Sequence, residues 1–568
     1  MLADFGNTAF VDVLTEICTA SGAENSEVCS GSIALEGPII AQDIRGMSLG
    51  SKTSDIFCIE FLGLCSFPAV DTFNVPFPSS KPSGSRPTPS GKAPLQIVHY
   101  SDIHVDPFYV TGSATNCTYP MCCRDYTAAD SPGNNTSPAG VNGDHNCDTP
   151  KSLETSMYEA ISQIAPDAAF VLFTGDIVDH AVWNTTQAQN TIEINDAYTR
   201  MRALNIPIYG TAGNHEASPT NNFPTLKEGD SVEQWVYNTL SADWSPWIGS
   251  SASQEALSFG AYSVNYPNSN LRIISINTNF YYVQNYYMYE DPMETDPSGQ
   301  FAWLVTQLDA AEKAGENVYI IGHTPLGSSD AFHDGSNYFD QIVNRYSNTI
   351  AALFFGHSHV DQFEIAYSNY NARTYENAIA MNYIVPSLVP TSGMPAFRVY
   401  YVDPDTFGVL DSVTYIADMT NPAFQTTGPV WTQYYSAKDV YGPLVSPAPT
   451  SDSELTPAFW HNVTTAFQTN TTAFNEYFAR KSRGWNVQSC TGTCQTEEIC
   501  QLQAAQSQYN CYTPSPGIHF AKRDVPNSPG HRDECGISVS RDTLRLIGQS
   551  SELKKMLVKR TAWMGGES

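Results

Sequence analysis

Short apolar runs that end in histidine, aspartate or asparagine constrain this chain more than anything else in its sequence. The runs Leu95 to Tyr100, Ala168 to Phe173, Ile206 to Gly210, Leu271 to Ile276, Val318 to Ile321 and Ala352 to Phe355 are rich in β-branched and aromatic residues, as buried strands are. Helical patterns such as Lys151 to Ile164 and Gln300 to Ala314 lie between them. Strands alternating with helices predict a layered α/β sheet with helices on its outer faces. Five segments leave these strands with polar side chains: Asp102-Ile103-His104, Gly175-Asp176, Gly213-Asn214-His215-Glu216, Gly322-His323 and Gly356-His357-Ser358-His359. Loops that leave the strands of such a sheet converge at one edge. The five segments are therefore expected to gather in one place.

Taken singly, a D-x-H or G-H pair is an ordinary turn or helix cap. Together the five supply about seven nitrogen and oxygen donors, enough to hold two divalent metal ions that share one carboxylate. Asp176 is the natural bridge, one oxygen for each ion. Glycine at 175, 213, 322 and 356 is expected to let the backbone turn tightly and point the side chains inward.

This ordered set resembles the dimetal metallophosphoesterase (calcineurin-like) superfamily, from Leu95 to about Phe363. The stretches Thr174 to His180, Ala212 to Glu216, Ile321 to Pro325 and Phe355 to Asp361, with Cys117-x4-Cys122-Cys123 after the first motif, resemble the acid sphingomyelinase branch in particular. The resemblance implies Asp102, His104, Asp176 and His359 on one metal and Asp176, Asn214, His323 and His357 on the other, with zinc as the usual ion. Neutral Asn214 leaves the pair with positive charge for an anionic phosphodiester. The expected reaction is attack on phosphorus by hydroxide held at the dimetal centre. His215 or His180 would protonate the departing alkoxide, with orientation of Asp176 as the other reading of His180. The expected substrate is sphingomyelin or a related phosphosphingolipid at a lipid surface, cleaved to ceramide and a phosphorylated headgroup. The alternative is a soluble nucleotide phosphodiesterase or polyphosphate hydrolase of the same superfamily. A lipid carrier with a decayed catalytic domain would not keep a donor at every motif.

Thirteen cysteines fall into local clusters without paired CxxC units, which suits disulfides in an oxidising compartment better than zinc thiolates. Six N-x-S/T sequons, at Asn116, Asn134, Asn135, Asn184, Asn462 and Asn470, agree with a secreted or lysosomal (vacuolar) glycoprotein. The resemblance further implies Cys117–Cys122, Cys123–Cys147, Cys490–Cys494 and Cys500–Cys511 bridges, with Cys535 unpaired. Residues 1–67 resemble part of a saposin-type helical module, in which Cys18 and Cys29 match an inner pair. Cys58 and Cys65 would then bond to a first helix absent from this chain, which reads as an N-terminal truncation; the alternative pairs them with each other.

Seven prolines among residues 68–94 mark an exposed linker. The catalytic domain is expected over 95–449 and a helical, cysteine-stapled unit over 450–519. Residues 520–568 hold 9 of the 28 basic and 6 of the 58 acidic residues, and read as a basic tail of unknown order. The net charge of -30 argues against a nucleic-acid groove and favours an acidic medium. No apolar run is long enough to span a membrane, so any membrane contact is peripheral, and a monomer is expected.

Overall fold

The computed structural model describes residues 6–22, 24–226, 232–512 and 539–565. Two six-stranded mixed sheets form its centre. The first is built from β1 (Leu95–Tyr100), β2 (Phe170–Phe173), β3 (Ile208–Gly210), β10 (Ala396–Val402), β11 (Val409–Ala417) and β12 (Trp431–Ser436). The second comprises β4 (Tyr262–Asn265), β5 (Leu271–Ser275), β6 (Asn317–Ile321), β7 (Ile350–Phe355), β8 (Gln362–Tyr367) and β9 (Ala378–Ile384). The orders are β12-β11-β10-β1-β2-β3 and β4-β5-β6-β7-β9-β8. Strands β1, β2 and β3 run parallel, as do β5, β6, β7 and β9. Parallel strands buried on both faces read as continuous apolar runs, and Phe170 to Phe173 is buried throughout.

The two sheets face each other. The Thr211 hydroxyl donates to the Ile276 carbonyl at 3.1 Å, the Ser275 hydroxyl donates to the Gly210 carbonyl at 3.1 Å, and His99 meets Phe354 edge-on at 5.7 Å. Because the parallel strands of both sheets end on the same side, their carboxyl-terminal loops share one rim. Helices α4 (Lys151–Ile164), α5 (Gln187–Met201), α6 (Gln234–Phe259), α7 (Gln300–Ala314) and α8 (His333–Tyr346) are the long helices between these strands.

Helices α1 (Asn7–Ser21), α2 (Ser26–Gly46) and α3 (Lys52–Leu62) precede the sheets. Their apolar faces bury Leu14, Ile33, Ile40 and Phe61. Cys18 pairs with Cys29, and Cys58 pairs with Cys65 across Cα atoms 5.6 Å apart. Within this chain Cys58 and Cys65 thus take the alternative pairing, with each other. Gly63 closes α3 in the left-handed conformation (φ 62°), which turns the chain back so that the Leu64 amide donates to the Cys58 carbonyl. The other four bridges implied by the resemblance are present. Cys535, His519 and His531 lie outside the described residues.

Segment 68–94 carries no helix or strand and lies along the sheets rather than free of them. Lys81 donates to the Ser347 hydroxyl at 2.6 Å, Arg86 pairs with Glu454 at 2.7 Å, and the Ser90 hydroxyl donates to Asp403 at 2.6 Å. Beyond the sheets and the short α9 (Ala437–Tyr441) come α10 (Pro457–Thr469), α11 (Thr471–Lys481) and α12 (Thr493–Leu502). Trp460 of α10 packs on Phe363, with ring centroids 4.4 Å apart. The described part of the basic tail is helical: α13 (Val539–Gln549) and α14 (Ser551–Gly565). Helix α13 buries Val539, Leu544 and Ile547 against the front helices. There Arg541 Nε donates to the Glu60 carbonyl at 3.0 Å and its guanidinium pairs with the Glu60 carboxylate at 3.3 Å. Among the described residues no helix is long and apolar enough to cross a membrane.

Candidate metal centre

Each sequence-predicted donor stands where a strand ends. Asp102 and His104 follow β1, Asp176 follows β2, Asn214 follows β3, His323 follows β6, and His357 and His359 follow β7. All seven are buried and converge. His104 Nε2 lies 3.2 Å from His359 Nε2 and 3.5 Å from Asp176 Oδ2, while His359 Nε2 lies 3.4 Å from Asp102 Oδ1. On the other side, His323 Nε2 lies 3.1 Å from Asp176 Oδ2, 2.8 Å from Asn214 Oδ1 and 3.2 Å from His357 Nδ1. The seven therefore form two groups that meet at Asp176.

Asp176 bridges them differently from the one-oxygen-each expectation. Its Oδ2 faces both groups, while Oδ1 accepts the His215 backbone N–H at 2.9 Å. The imidazole tautomers are set from outside the cluster. His104 Nδ1 donates to the Val178 carbonyl at 2.7 Å and His323 Nδ1 to the Thr174 carbonyl at 2.6 Å, which leaves each Nε2 lone pair aimed inward. On those tautomers the Nε2 lone pairs of His104 and His323, each 3.2 Å from a nitrogen of a neighbouring imidazole, are available to a cation. The donor set, nitrogen-rich and closed by carboxylates, fits two divalent ions.

Holding the donors this closely requires unusual backbone. Asp102, His104, Asp176, His357 and His359 adopt φ of 52°, 34°, 64°, 69° and 59°, a region that costs a residue with a Cβ about 1–3 kcal/mol. The loops are cross-pinned. Asp102 N donates to the Gly175 carbonyl and Ile103 N to the Asp176 carbonyl, each at 2.9 Å, and His357 N donates to Asp102 Oδ1 at 3.0 Å. Of the four motif glycines only Gly175 takes a positive φ. At Gly213 the requirement is space, since a Cβ would stand 2.1 Å from Asp176 Oδ1.

The two candidate acids lie beside the first group. His180 lies against His104 with centroids 3.9 Å apart and the rings tilted by 32°, and His215 is 4.7 Å from His104 and 4.8 Å from His180. His215 Nδ1 donates to the Asp179 carbonyl at 3.2 Å. His180 is held by Asp148 rather than by Asp176: Nδ1 lies 2.7 Å from Asp148 Oδ1, and the His180 backbone N–H donates to Oδ2 at 2.6 Å. Burial alone would lower the His180 pKa, but the carboxylates around it, Asp148 foremost with Asp176 and Asp179, together raise it. Donor atoms of His104, His180 and His359 lie within 4.8 Å of one another.

Sequence reasoning missed several residues. Asp148 has no motif around it, only its place beside Cys147. Glu216 belongs to a motif, but its task is visible only in three dimensions: its carboxylate accepts backbone N–H groups from Ile177 at 2.6 Å, Asp176 at 3.3 Å and Gly213, tying two donor loops together. Arg483 reaches in from the end of α11, donating to the His359 carbonyl at 2.7 Å. Residues 285–290 form a packed aromatic loop. Tyr286 and Tyr289 are buried against Phe61 of α3, with ring centroids 5.2 and 5.0 Å apart, and nearby Tyr282 lies nearly perpendicular to His357, with ring centroids 5.0 Å apart. The front helices thus rest on a loop that adjoins the donor cluster. His145, His333 and His461 lie outside it, bonded to Pro390, stacked on Phe67 and bonded to Tyr367 respectively.

The family profile described as calcineurin-like phosphoesterase matches residues 95–361. Sphingomyelin phosphodiesterase B of Dictyostelium discoideum is 34% identical over 438 residues, covering 75% of this chain and 66% of that protein. Sphingomyelin phosphodiesterase 2 of Caenorhabditis elegans is 30% identical over 531 residues, covering 87% and 82%. Human sphingomyelin phosphodiesterase is 33% identical over 428 residues, covering 72% and 64%, so the chain spans about two thirds of the length of the human and Dictyostelium proteins. Two donor groups meeting at one carboxylate, on loops of two facing sheets, are what a family built on a dimetal centre requires, and the chain belongs to the acid sphingomyelinase branch of the calcineurin-like metallophosphoesterases.

Proposed function

We propose that this chain hydrolyses the phosphodiester bond of sphingomyelin or a related phosphosphingolipid, releasing ceramide and a phosphorylated headgroup. The observation that carries this reading is the seating of the three front helices, through Phe61 on Tyr286 and Tyr289, on the loop beside the donor cluster. A saposin-like module in that place presents lipid to the site. Asp102, His104, Asp176 and His359 would hold one ion and Asp176, Asn214, His323 and His357 the other, with zinc favoured by the imidazole-rich donors. Bound there, two divalent ions supply Lewis-acid stabilisation of the phosphoryl oxygens and lower the pKa of water. The chain's own residues do the rest. Asp102 and Asp176 set the negative charge of the cage, and neutral Asn214 keeps it low enough for an anionic diester to approach. His215 and His180 stand beside the cage, and one of them delivers a proton to the departing alkoxide. The six disulfides fit an oxidising compartment, and a secreted or lysosomal (vacuolar) monomer acting at lipid surfaces is the setting this reading takes.

A substrate panel tests it: sphingomyelin micelles, an inositol phosphosphingolipid, a nucleoside triphosphate and polyphosphate, at acidic and neutral pH. The expected result is phosphorylated headgroup released from a sphingolipid with the highest kcat/KM of the panel. Preferred turnover of the triphosphate or polyphosphate would overturn the lipid reading. Substituting His215 or His180 by Gln identifies the acid. Loss of acid catalysis, typically ~10²–10⁴-fold, should fall on the lipid far more than on a nitrophenyl diester, whose leaving group needs no proton.

A further inference from the structure

Three histidines take their orientation from one short turn after β2. The Val178 carbonyl accepts from His104 Nδ1, the Asp179 carbonyl accepts from His215 Nδ1, and His180 is itself the third residue. Residues 178–180 belong to no helix or strand, so something else must hold them. Arg124, buried, does so on one side. Its Nε lies 3.0 Å from both carboxylate oxygens of Asp106, and its Nη2 reaches Asp179 Oδ2. Asp179 Oδ1 in turn accepts the Ala181 N–H at 2.8 Å. Asp148 grips the other side through both the ring and the backbone N–H of His180.

The two anchors are not independent. Arg124 directly follows Cys123, Asp148 directly follows Cys147, and Cys123 is bonded to Cys147 with Cα atoms 5.6 Å apart. The neighbouring main chain is woven into the same knot: Asp106 N donates to the Thr149 carbonyl at 2.9 Å and Val105 N to the Ile177 carbonyl at 2.9 Å. A guanidinium and two carboxylates buried together cost desolvation that apolar packing would avoid. What they supply is fixed geometry, because a planar fork meets a carboxylate in one orientation.

We propose that Arg124 and Asp148, joined through the Cys123–Cys147 disulfide, form one positioning unit for the leaving-group proton. Asp148 aims His180, and Arg124, through the Asp179 turn, aims His215. This rests on the reading of those histidines as the proton source. A general acid works only within hydrogen-bond reach of the departing oxygen, and a misplacement of ~1 Å costs as much as ~10²-fold. The unit holds the acids at that reach, while of the seven candidate donors His104 bonds to the same turn, through Val178 rather than through the residues that Arg124 and Asp148 grip.

The test uses the full chain with Asp148→Asn, Arg124→Gln and the double change Cys123→Ser/Cys147→Ser, beside His180→Gln and His215→Gln. For each, kcat and KM are measured on sphingomyelin and on bis(nitrophenyl) phosphate, with metal content and thermal midpoint. The expected result is a fall of about 10–100-fold in kcat on sphingomyelin for the anchor of whichever histidine is the acid, Asp148→Asn for His180 or Arg124→Gln for His215, and for the double cysteine change, with KM and two ions per chain retained and the nitrophenyl diester little affected. Arg124→Lys keeps the charge without the fork and should show the same split in a milder fold background. Equal losses on both substrates, or losses that track thermal midpoint or metal content, would overturn the proposal and make the unit merely structural. A split in the histidine variants without one in the anchor variants would overturn the positioning role alone. Absence of the split in both histidine variants would overturn the proton-source reading and the positioning role with it.

Discussion

The stability contributed by one buried carboxyl should rise as the medium becomes acid, and Glu364 is the residue on which this is best measured. Its carboxyl sits on β8 beneath α12, buried, accepting from Asn382 Nδ2 at 2.8 Å. Burial pushes its pKa from 4.5 up to about 8, against the smaller downward pull of hydrogen bonds from Asn382 and Gly327. In the unfolded chain it titrates near the ordinary value. Between those two values the folded protein holds a proton that the unfolded chain has released, so folding loses stability as pH rises. The loss is about 1.4 kcal/mol per pH unit, or about 3 kcal/mol between about pH 5 and about pH 7.5. The contribution is fully present below the unfolded pKa and is lost as pH rises through the folded one. Glu364→Gln removes the titration while keeping the shape and an acceptor for Asn382. Denaturant unfolding of wild type and variant at the two pH values should show the variant gaining about 3 kcal/mol on wild type from the lower to the higher pH. Asp340, pushed by burial up to about 7, and Glu233, up to about 9, tilt both proteins alike and cancel in the comparison. Parallel pH dependences would refute the argument, because they would mean that Glu364 is ionised in the folded state.

Two further substitutions probe the metal cage. Asp176→Asn replaces the carboxylate that faces both donor groups with a neutral amide, and elemental analysis should find one ion or none with turnover nearly abolished; two retained ions would refute the bridging role. Glu216→Gln turns one of its carboxylate acceptors into a donor facing a backbone N–H, at a cost of about 1–3 kcal/mol. Metal affinity, measured by chelator competition, should fall about 10–100-fold, and an unchanged affinity would show that the two loops hold themselves.

The convergence of the candidate donors was legible because each motif is contiguous and begins where an apolar run ends, so local pattern and site coincide. Helices α4 and α7 match their predicted spans for the same reason: their apolar residues recur at helical spacing. What could not be read is what depends on distant partners. Strands β10 and β11 interleave residues such as Arg398, Thr414 and Asp411 with apolar ones, and Arg398 is accommodated only because Asp361 meets its guanidinium in the folded core. Asp148 is one aspartate among many until the disulfide of Cys147 brings it to His180. Glycines at 213 and 356 signalled a constraint, but its kind, clearance for Asp176 and Ser101 rather than a turn, is a property of the neighbouring loop. The pairing of Cys58 with Cys65 hinged on the left-handed Gly63, and the order of residues 539–565 on a helix face whose partner lies at the other end of the chain.

The docking of α13 on α3 has a bearing on how the protein is made. Glu60 precedes its partner Arg541 by 481 positions. At roughly 5–20 residues per second, a ribosome needs roughly half a minute to a minute and a half to traverse that stretch. Throughout that interval the front helices have been delivered while the helix that covers Glu60 has not. Both sheets, with all seven candidate donors, are synthesised before it arrives. The front helices are thus translated before the sheets, yet the helix that covers Glu60 is translated after them.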